Sequence, residues 1–145
     1  MNYWDTSALL KLYVREPDSP YFVSLVSSAA SPLLTSDLAR IEIYSALSRK
    51  ERAGELETGV AEVLFASFQT DSTRGRIVTL PIGSDVLGEA IRLTRQAHGK
   101  TPPLLIRSLD TLHVASALVS GANTVIATDS RLRQLAATAG LAQLP

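Results

Sequence analysis

The sequence contains no cysteine, which excludes disulfides and thiolate metal ligands outright. It also lacks any run near the roughly 18 to 20 continuous apolar residues that a membrane-spanning helix requires. No glycine-rich phosphate loop of the nucleotide-cradling kind occurs. An excess of one charge is missing too, since 14 Lys plus Arg balance 14 Asp plus Glu. That excludes a protein that coats nucleic acid by bulk positive charge. Contact with a polyanion must then come from a local patch, or through cations held by clustered acids. The opening Met1-Asn2-Tyr3-Trp4-Asp5 has neither a basic leader nor an apolar signal region, so a cytoplasmic protein without membrane contact is the simplest expectation.

What is present suits one domain. The chain has 145 residues, 46% of them hydrophobic, which is enough for a real core. No internal repeat, low-complexity run or long linker divides it, so residues 1–145 are read as a single domain.

Strands and helices alternate along the chain. Asn2 to Trp4 is a short β-like opening, followed by a helix from Ala8 to Tyr13 that ends near Pro17. A second helix is expected over Tyr21 to Ala29, then a buried strand at Leu33 to Thr35 bounded by Pro32 and the capping-type pair Ser36-Asp37. Leu38 to Arg52 reads as a long helix, with Leu38, Ile41, Ser45 and Ser48 on one stripe, Ile43 and Leu47 on the next, and Gly54 placed to stop it. Glu55 to Thr70 and Ser84 to His98 read as further helices, with a strand at Arg76 to Ile82 between them. Gly99 to Leu105 is a loop, and Ser108 is expected to cap a helix from Leu109 to Val119. Thr124 to Ala127 is a compact strand, a helix runs on through Ala137, and Leu141 to Leu144 is a last edge strand. This alternation predicts an α/β fold with a mainly parallel sheet covered on both faces.

Four acids occupy telling places. Asp5 and Asp129 follow strands, Asp110 stands in the first turn of a helix, and Glu42 lies about one turn into the helix after the second strand. Ligands of open parallel sheets collect at the carboxyl ends of the strands, where helices begin, so all four acids can converge on one edge. Gathered carboxylates repel one another unless a cation compensates. Mg²⁺ and Mn²⁺ favour such oxygen ligands. Two such ions about 3.5 to 4 Å apart serve in-line displacement at a phosphodiester. Each acid also has a purely structural reading: Asp129 and Asp5 as helix caps, Asp110 as a first-turn acid, and Glu42 as an exposed acid paired with Arg49 or Arg40.

The residues around the acids carry more information than the acids alone. Tyr3-Trp4-Asp5-Thr6-Ser7-Ala8-Leu9-Leu10, the run Ser36 to Leu47 around Glu42, Leu109-Asp110-Thr111-Leu112-His113-Val114-Ala115 and Ile126-Ala127-Thr128-Asp129-Ser130-Arg131 resemble, in order and separation, the four signatures of VapC-type PIN domains. Each motif is a weak pattern, whereas the ordered set is specific and spans nearly the whole chain. The resemblance implies a PIN-like three-layer fold, a central parallel sheet flanked by helices with an acidic pocket at one edge. It implies a metal-dependent endoribonuclease, using Mg²⁺ with Mn²⁺ as the alternative, that acts as the toxin of a type II toxin–antitoxin pair. An RNA substrate, a cognate antitoxin protein and a homodimer follow from the same likeness.

Carried onto this sequence, Asp5 and Asp110 are metal ligands, Glu42 helps hold the ion or its waters, and Asp129 orients water or assists a second ion. Thr6, Ser7, Thr128 and Ser130 are the hydroxyl neighbours that position carboxylates or phosphate. Lys11, Arg15 and Arg40 are the basic residues assigned to substrate phosphates, with Arg107, Arg131 and Arg133 also beside the acids. Ordinary surface charge or ion pairing is the alternative for each.

His113, three residues after Asp110, reads as a packed or hydrogen-bonded histidine before a general base. His98 reads as exposed, and Trp4 as core. A phosphatase of the haloacid-dehalogenase type would need an acid where Ser7 stands, and a phospho-receiver would need paired acids and a late lysine that this pattern lacks. The rival from another class is a PIN-like module that binds RNA or protein without cutting.

Overall fold

The computed structural model describes residues 1–28 and 32–145. Its elements run β1 (Asn2–Trp4), α1 (Thr6–Leu10), α2 (Ser19–Ser28), β2 (Leu33–Ser36), α3 (Leu38–Arg52), α4 (Val60–Thr73), β3 (Ile77–Leu80), α5 (Ser84–His98), α6 (Ser108–Val119), β4 (Thr124–Ile126), α7 (Ser130–Thr138) and β5 (Ala142–Leu144). The five strands form one sheet in the order β3-β2-β1-β4-β5. Every pairing in it is parallel, so the sheet is wholly rather than mainly parallel.

Alternation along the strands explains the three layers. Successive strand residues point to opposite faces. Tyr3, Leu34 and Val125 therefore go to one side, where they pack with Val86, Leu93, Val114, Leu132 and Leu135 of α5, α6 and α7. Trp4, Leu33 and Ile126 go to the other, among Leu9, Phe22, Ile43, Leu47 and Phe68 of α1 to α4. Both faces being covered is why these strands read as apolar runs. Trp4 is 1% exposed and belongs to the core, as the alternation required.

The strand order places the functional edge. From the central β1 the chain first builds outward through β2 and β3, then returns to add β4 and β5 on the opposite side. The order reverses between β1 and β4, and parallel sheets open a crevice beyond the carboxyl ends of the strands at such a reversal. Asp5 follows β1 and Asp129 closely follows β4, so both stand at that crevice.

Several element limits differ from the sequence reading for local reasons. Helix α1 starts at Thr6 because Asp5 caps it, and beyond Leu10 the chain continues as turns. Helix α2 starts at Ser19 rather than Tyr21, where the Ser19 hydroxyl accepts from Glu16 N and donates to Val14 O; its expected end at Ala29 lies outside the described residues. On α3 the buried face is Ala39, Ile43 and Leu47, and Ile41 is left exposed. Gly54, with φ of 76°, ends that helix as expected. Helix α4 begins at Val60 instead of Glu55, after Gly59 in the left-handed region. Ser108 is the first helical residue of α6 rather than its cap, and Arg107 holds the cap position without a side-chain bond.

Candidate active site

Asp5, Glu42, Asp110 and Asp129 line one open cleft of about 530 Å³. The sheet sets the first of them. The Asp5 N–H donates to Ile126 O at 2.9 Å, carrying the β1–β4 ladder one step past Trp4. Its carboxylate then accepts from Ser7 N at 3.0 Å and from the Ser7 hydroxyl at 2.5 Å. Asp129 caps α7 in the same manner, its Oδ1 accepting from Arg131 N at 2.8 Å and Leu132 N at 3.4 Å. The cap readings of both acids are therefore right, and each residue lines the cleft as well. Capping and cleft-lining are compatible because a carboxylate has two oxygens.

Glu42 reaches the cleft from α3. Its Oε2 accepts from the Thr6 hydroxyl at 2.5 Å and meets His113 Nε2 at 2.7 Å. Burial opposes ionisation of Glu42, but the hydrogen bond and charge of His113, helped by Thr6, outweigh it and hold the carboxyl below the usual range. Asp110 is in the reverse condition. Burial and the charge of Asp129 push it upward, Asp5 adds to this, and Arg107 offsets only part. Its Oδ2 is buried and has no hydrogen-bond partner among the described residues. An unpaired buried carboxylate oxygen is costly, and Asp110 lines the cleft where three other carboxylates gather.

The donor set is all oxygen and fits a hard divalent cation. Each acid other than Asp110 has one oxygen held by hydrogen bonds from its neighbours, however. Among the described residues, no three His, Asp or Glu side chains are already grouped closely enough to enclose an ion. The cleft is an acidic pocket rather than a finished cage.

The hydroxyl neighbours divide. Thr6 and Ser7 bond directly to Glu42 and Asp5. Thr128 takes part through its backbone N–H, which donates to Ser7 Oγ at 3.0 Å. Ser130 opens α7 and is exposed.

Lys11, Arg15 and Arg40 are not brought to the acids. Lys11 pairs with Glu16 at 2.5 Å and with Asp18 at 2.8 Å, and it shares a different groove with Arg15. Arg40 lines a third groove with Phe68, Gln69 and Thr79. On a helix, Arg40 lies two residues from Glu42 and so faces elsewhere. Arg107, expected beside the acids, does line the acidic cleft, with its Nη1 3.8 Å from Asp129 Oδ2, and Arg49 lines it too. Spacing carried a signal for Arg49: Glu42, Ser45, Ala46 and Arg49 follow the i, i+3, i+4, i+7 rule and share one face of α3. His113 is the hydrogen-bonded core residue that the sequence indicated, 1% exposed.

A more apolar groove lies at Leu12, Tyr13, Val23, Val26 and Ile77. Its one acid, Asp71, is bonded to Tyr13 and Arg76. It gathers no set of acids.

Acids assembled at the switch point of a wholly parallel, two-sided sheet define an α/β domain with a carboxylate-lined cleft. The PIN domain family model matches residues 3–138, and the chain belongs to that family. It is 29% identical over 120 residues to the ribonuclease VapC47 of Mycobacterium tuberculosis strain CDC 1551, covering 81% of this chain and 74% of that one. Its fold is similar to that of VapC20 of Mycobacterium tuberculosis, described as a sarcin-ricin-loop-cleaving toxin, with a TM-score of 0.73 at 16% identity over 99% of this chain and 98% of the other. FitAcB of Neisseria gonorrhoeae matches with a TM-score of 0.72 at 17% identity, over 100% and 97% of the two chains. VapBC2 of Rickettsia felis, bound to a promoter DNA fragment, matches at 0.70 and 14% identity, over 99% and 98%.

Proposed function

We propose that this chain is a metal-dependent endoribonuclease, the toxin of a toxin–antitoxin pair. The observation that carries the reading is the convergence of four acids, from four separate segments, on one cleft in which Asp110 keeps an unpaired buried oxygen. Membership of the PIN domain family and the likeness to a VapC ribonuclease support it.

Asp5 and Asp110 are the residues that would hold Mg²⁺ or Mn²⁺, with Glu42 and Asp129 holding the waters around it or a second ion. A bound divalent ion supplies charge neutralisation at the phosphodiester and a more acidic water. The protein's own part is to fix the carboxylates: Ser7 and the α1 terminus hold Asp5, Thr6 and His113 hold Glu42, and the α7 terminus holds Asp129. Arg49 and Arg107 flank the cleft and take the neighbouring phosphates of the strand. Water adds to phosphorus as the bond to the 3′ oxygen breaks and that oxygen takes up a proton. The products are a 3′ hydroxyl and a 5′ phosphate.

A cytoplasmic homodimer held inactive by a small antitoxin completes the reading. It draws on the fold likeness to VapC20, described as a toxin, and to VapBC2 and FitAB, each solved bound to a DNA fragment. Among the described residues, no helix is long and apolar enough to cross a membrane.

The test is cleavage of total cellular RNA by antitoxin-free protein in Mg²⁺, Mn²⁺ or EDTA, beside Asp5→Asn and Asp110→Asn proteins. Asparagine caps a helix as well as aspartate does, so Asp5→Asn keeps α1 intact. Metal-dependent cutting abolished by both substitutions is expected. Products ending in a cyclic 2′,3′ phosphate would overturn the chemistry, and a folded protein that binds RNA but cuts none would be a binding module.

A further inference from the structure

We infer that His113 and Tyr3 form a buried positioning relay that sets the Glu42 carboxylate for cation binding. The inference rests on the metal-dependent reading above and assigns the device that prepares that site.

His113 stands on α6, one turn after Asp110, with its ring 5.9 Å from that of Tyr3 in an edge-on contact. Both ring nitrogens are engaged. Nδ1 lies 2.7 Å from the Tyr3 hydroxyl, and Nε2 lies 2.7 Å from Glu42 Oε2 and 3.6 Å from Asp5 Oδ1. His113 is 1% exposed and Tyr3 fully buried, so water does not reach the bond between them.

Chemistry fixes the direction of the relay. An ionised carboxylate only accepts, so the Nε2 proton must sit between His113 and Glu42. Tyr3 suits either charge state of the ring, because its hydroxyl donates to a bare Nδ1 and accepts from a protonated one. The Nε2–H therefore faces Glu42 in both. Thr6 donates to the same Glu42 oxygen at 2.5 Å. Two donors on Oε2 restrain the side chain and leave Oε1 as the free oxygen at a residue that lines the cleft. Because Tyr3 lies on β1 and Asp5 follows that strand directly, its N–H bonded to Ile126 O of β4, the sheet that places one acid also anchors the clamp on another. Buried partners of this kind govern how carboxylate ligands are oriented and held.

The experiment measures Mn²⁺ binding to RNA-free protein by calorimetry, and kcat and KM for RNA cleavage, on wild type, His113→Leu, His113→Gln, Tyr3→Phe and Asp110→Asn. Nitrogen-15 NMR of His113 accompanies it. His113→Leu is expected to weaken Mn²⁺ binding by roughly 10- to 100-fold. Its kcat should fall with KM for RNA unchanged, since a buried ring touches no substrate. His113→Gln keeps an amide donor and should recover part of the loss, and Tyr3→Phe should lie between wild type and His113→Leu. The NMR spectrum should show a proton on Nε2.

A folded His113→Leu protein with wild-type Mn²⁺ affinity and kcat, beside an inactive Asp110→Asn, overturns the relay and leaves the nuclease reading intact. A wild type that neither binds Mn²⁺ nor cuts RNA overturns both. If His113→Leu fails to fold, the near-isosteric Tyr3→Phe and the NMR spectrum decide. Unchanged Mn²⁺ affinity in Tyr3→Phe, or a bare Nε2, then overturns the relay.

Discussion

The Ser7 hydroxyl joins the two central strand ends of the sheet, donating to Asp5 Oδ2 at 2.5 Å while accepting the Thr128 N–H at 3.0 Å. One small side chain thereby ties the acid after β1 to the loop that carries Asp129 after β4. Ser7→Ala breaks both bonds without emptying any core space. Leaving the Thr128 N–H unpaired costs about 1 to 3 kcal/mol. The melting temperature should drop by several degrees. Cleavage should fall by roughly 10- to 100-fold because Asp5 loses its second restraint. Thermal melts and rate measurements on the same preparation check this, and Ser7→Ala kinetics matching wild type would remove Ser7 from the site.

Asp110 is strained by its surroundings, and that makes a two-sided prediction. Its ionised form is disfavoured by burial and by Asp129 and Asp5. Asp110→Asn removes the repulsion, so in EDTA this variant should melt higher than wild type, by about 2 to 4 °C for each kcal/mol relieved. The same change should abolish cleavage. Mg²⁺ at 100 times its dissociation constant should stabilise wild type by about 2.7 kcal/mol and the variant by much less. Differential scanning calorimetry with and without Mg²⁺ tests both halves. An Asp110→Asn protein less stable than wild type in EDTA contradicts the electrostatic account.

Stability of the metal-free protein should depend on pH in a defined sense. Glu42 is held below its ordinary 4.5, so its contribution is complete above that pH and is lost as pH falls through the lower folded value. Burial opposes the charge on His113, but Glu42 and Asp5 raise it above its ordinary 6.5. What His113 adds is therefore complete below 6.5 and lost as pH rises through the higher folded value. Asp110, raised above 3.8, also costs stability as it ionises on the alkaline side of that pH. Melting temperature in EDTA should peak between about 4.5 and 6.5 and decline above, and His113→Gln should flatten the decline. A wild-type profile that keeps rising above 6.5 would refute this ordering.

Much of this architecture was legible because local and global signals agree. Helices α3 and α5 run over the residues that hydrophobic period and stop signals gave, since Gly54 and Gly99 end them where the periodicity ends. The acids are legible because each follows a strand or lies within about a turn of the start of a helix, and parallel topology carries such positions to one edge. Helix α1 was misplaced for a physical reason: Asp5 both ends a strand and caps a helix, so no loop separates the two. Nearness in sequence puts Lys11, Arg15 and Arg40 beside the acids, and a helix does not respect such nearness. Arg40 is two residues from Glu42 and lines another groove, whereas Arg49, seven residues away, shares its face. The roles of Thr128 and Tyr3 depend on contacts across 121 and 110 positions, which no local pattern records.

That difference in placement separates two sets of cations by experiment. Arg49 and Arg107 flank the acidic cleft, so replacing each by alanine should raise KM for RNA about 3- to 10-fold with little change in kcat, the cost of removing one charge-assisted hydrogen bond. Each phosphate that goes unneutralised should also lower the slope of log affinity against log salt by about 0.7 for a single strand. Lys11 is already paired with Glu16 and Asp18, and Arg15 and Arg40 are exposed away from the acids. Alanine at those three should leave KM and the salt slope near wild type, with Lys11→Ala costing less than about 1 kcal/mol of stability. Salt-dependent binding of a short RNA to the inactive Asp110→Asn protein measures the slopes without cleavage. The reverse pattern, slopes reduced at Lys11 or Arg40 and kept at Arg49 and Arg107, would mean that the strand approaches over α1 and the far face of α3. The two arginines in the cleft would then serve only to offset the charge of Glu42 and Asp129.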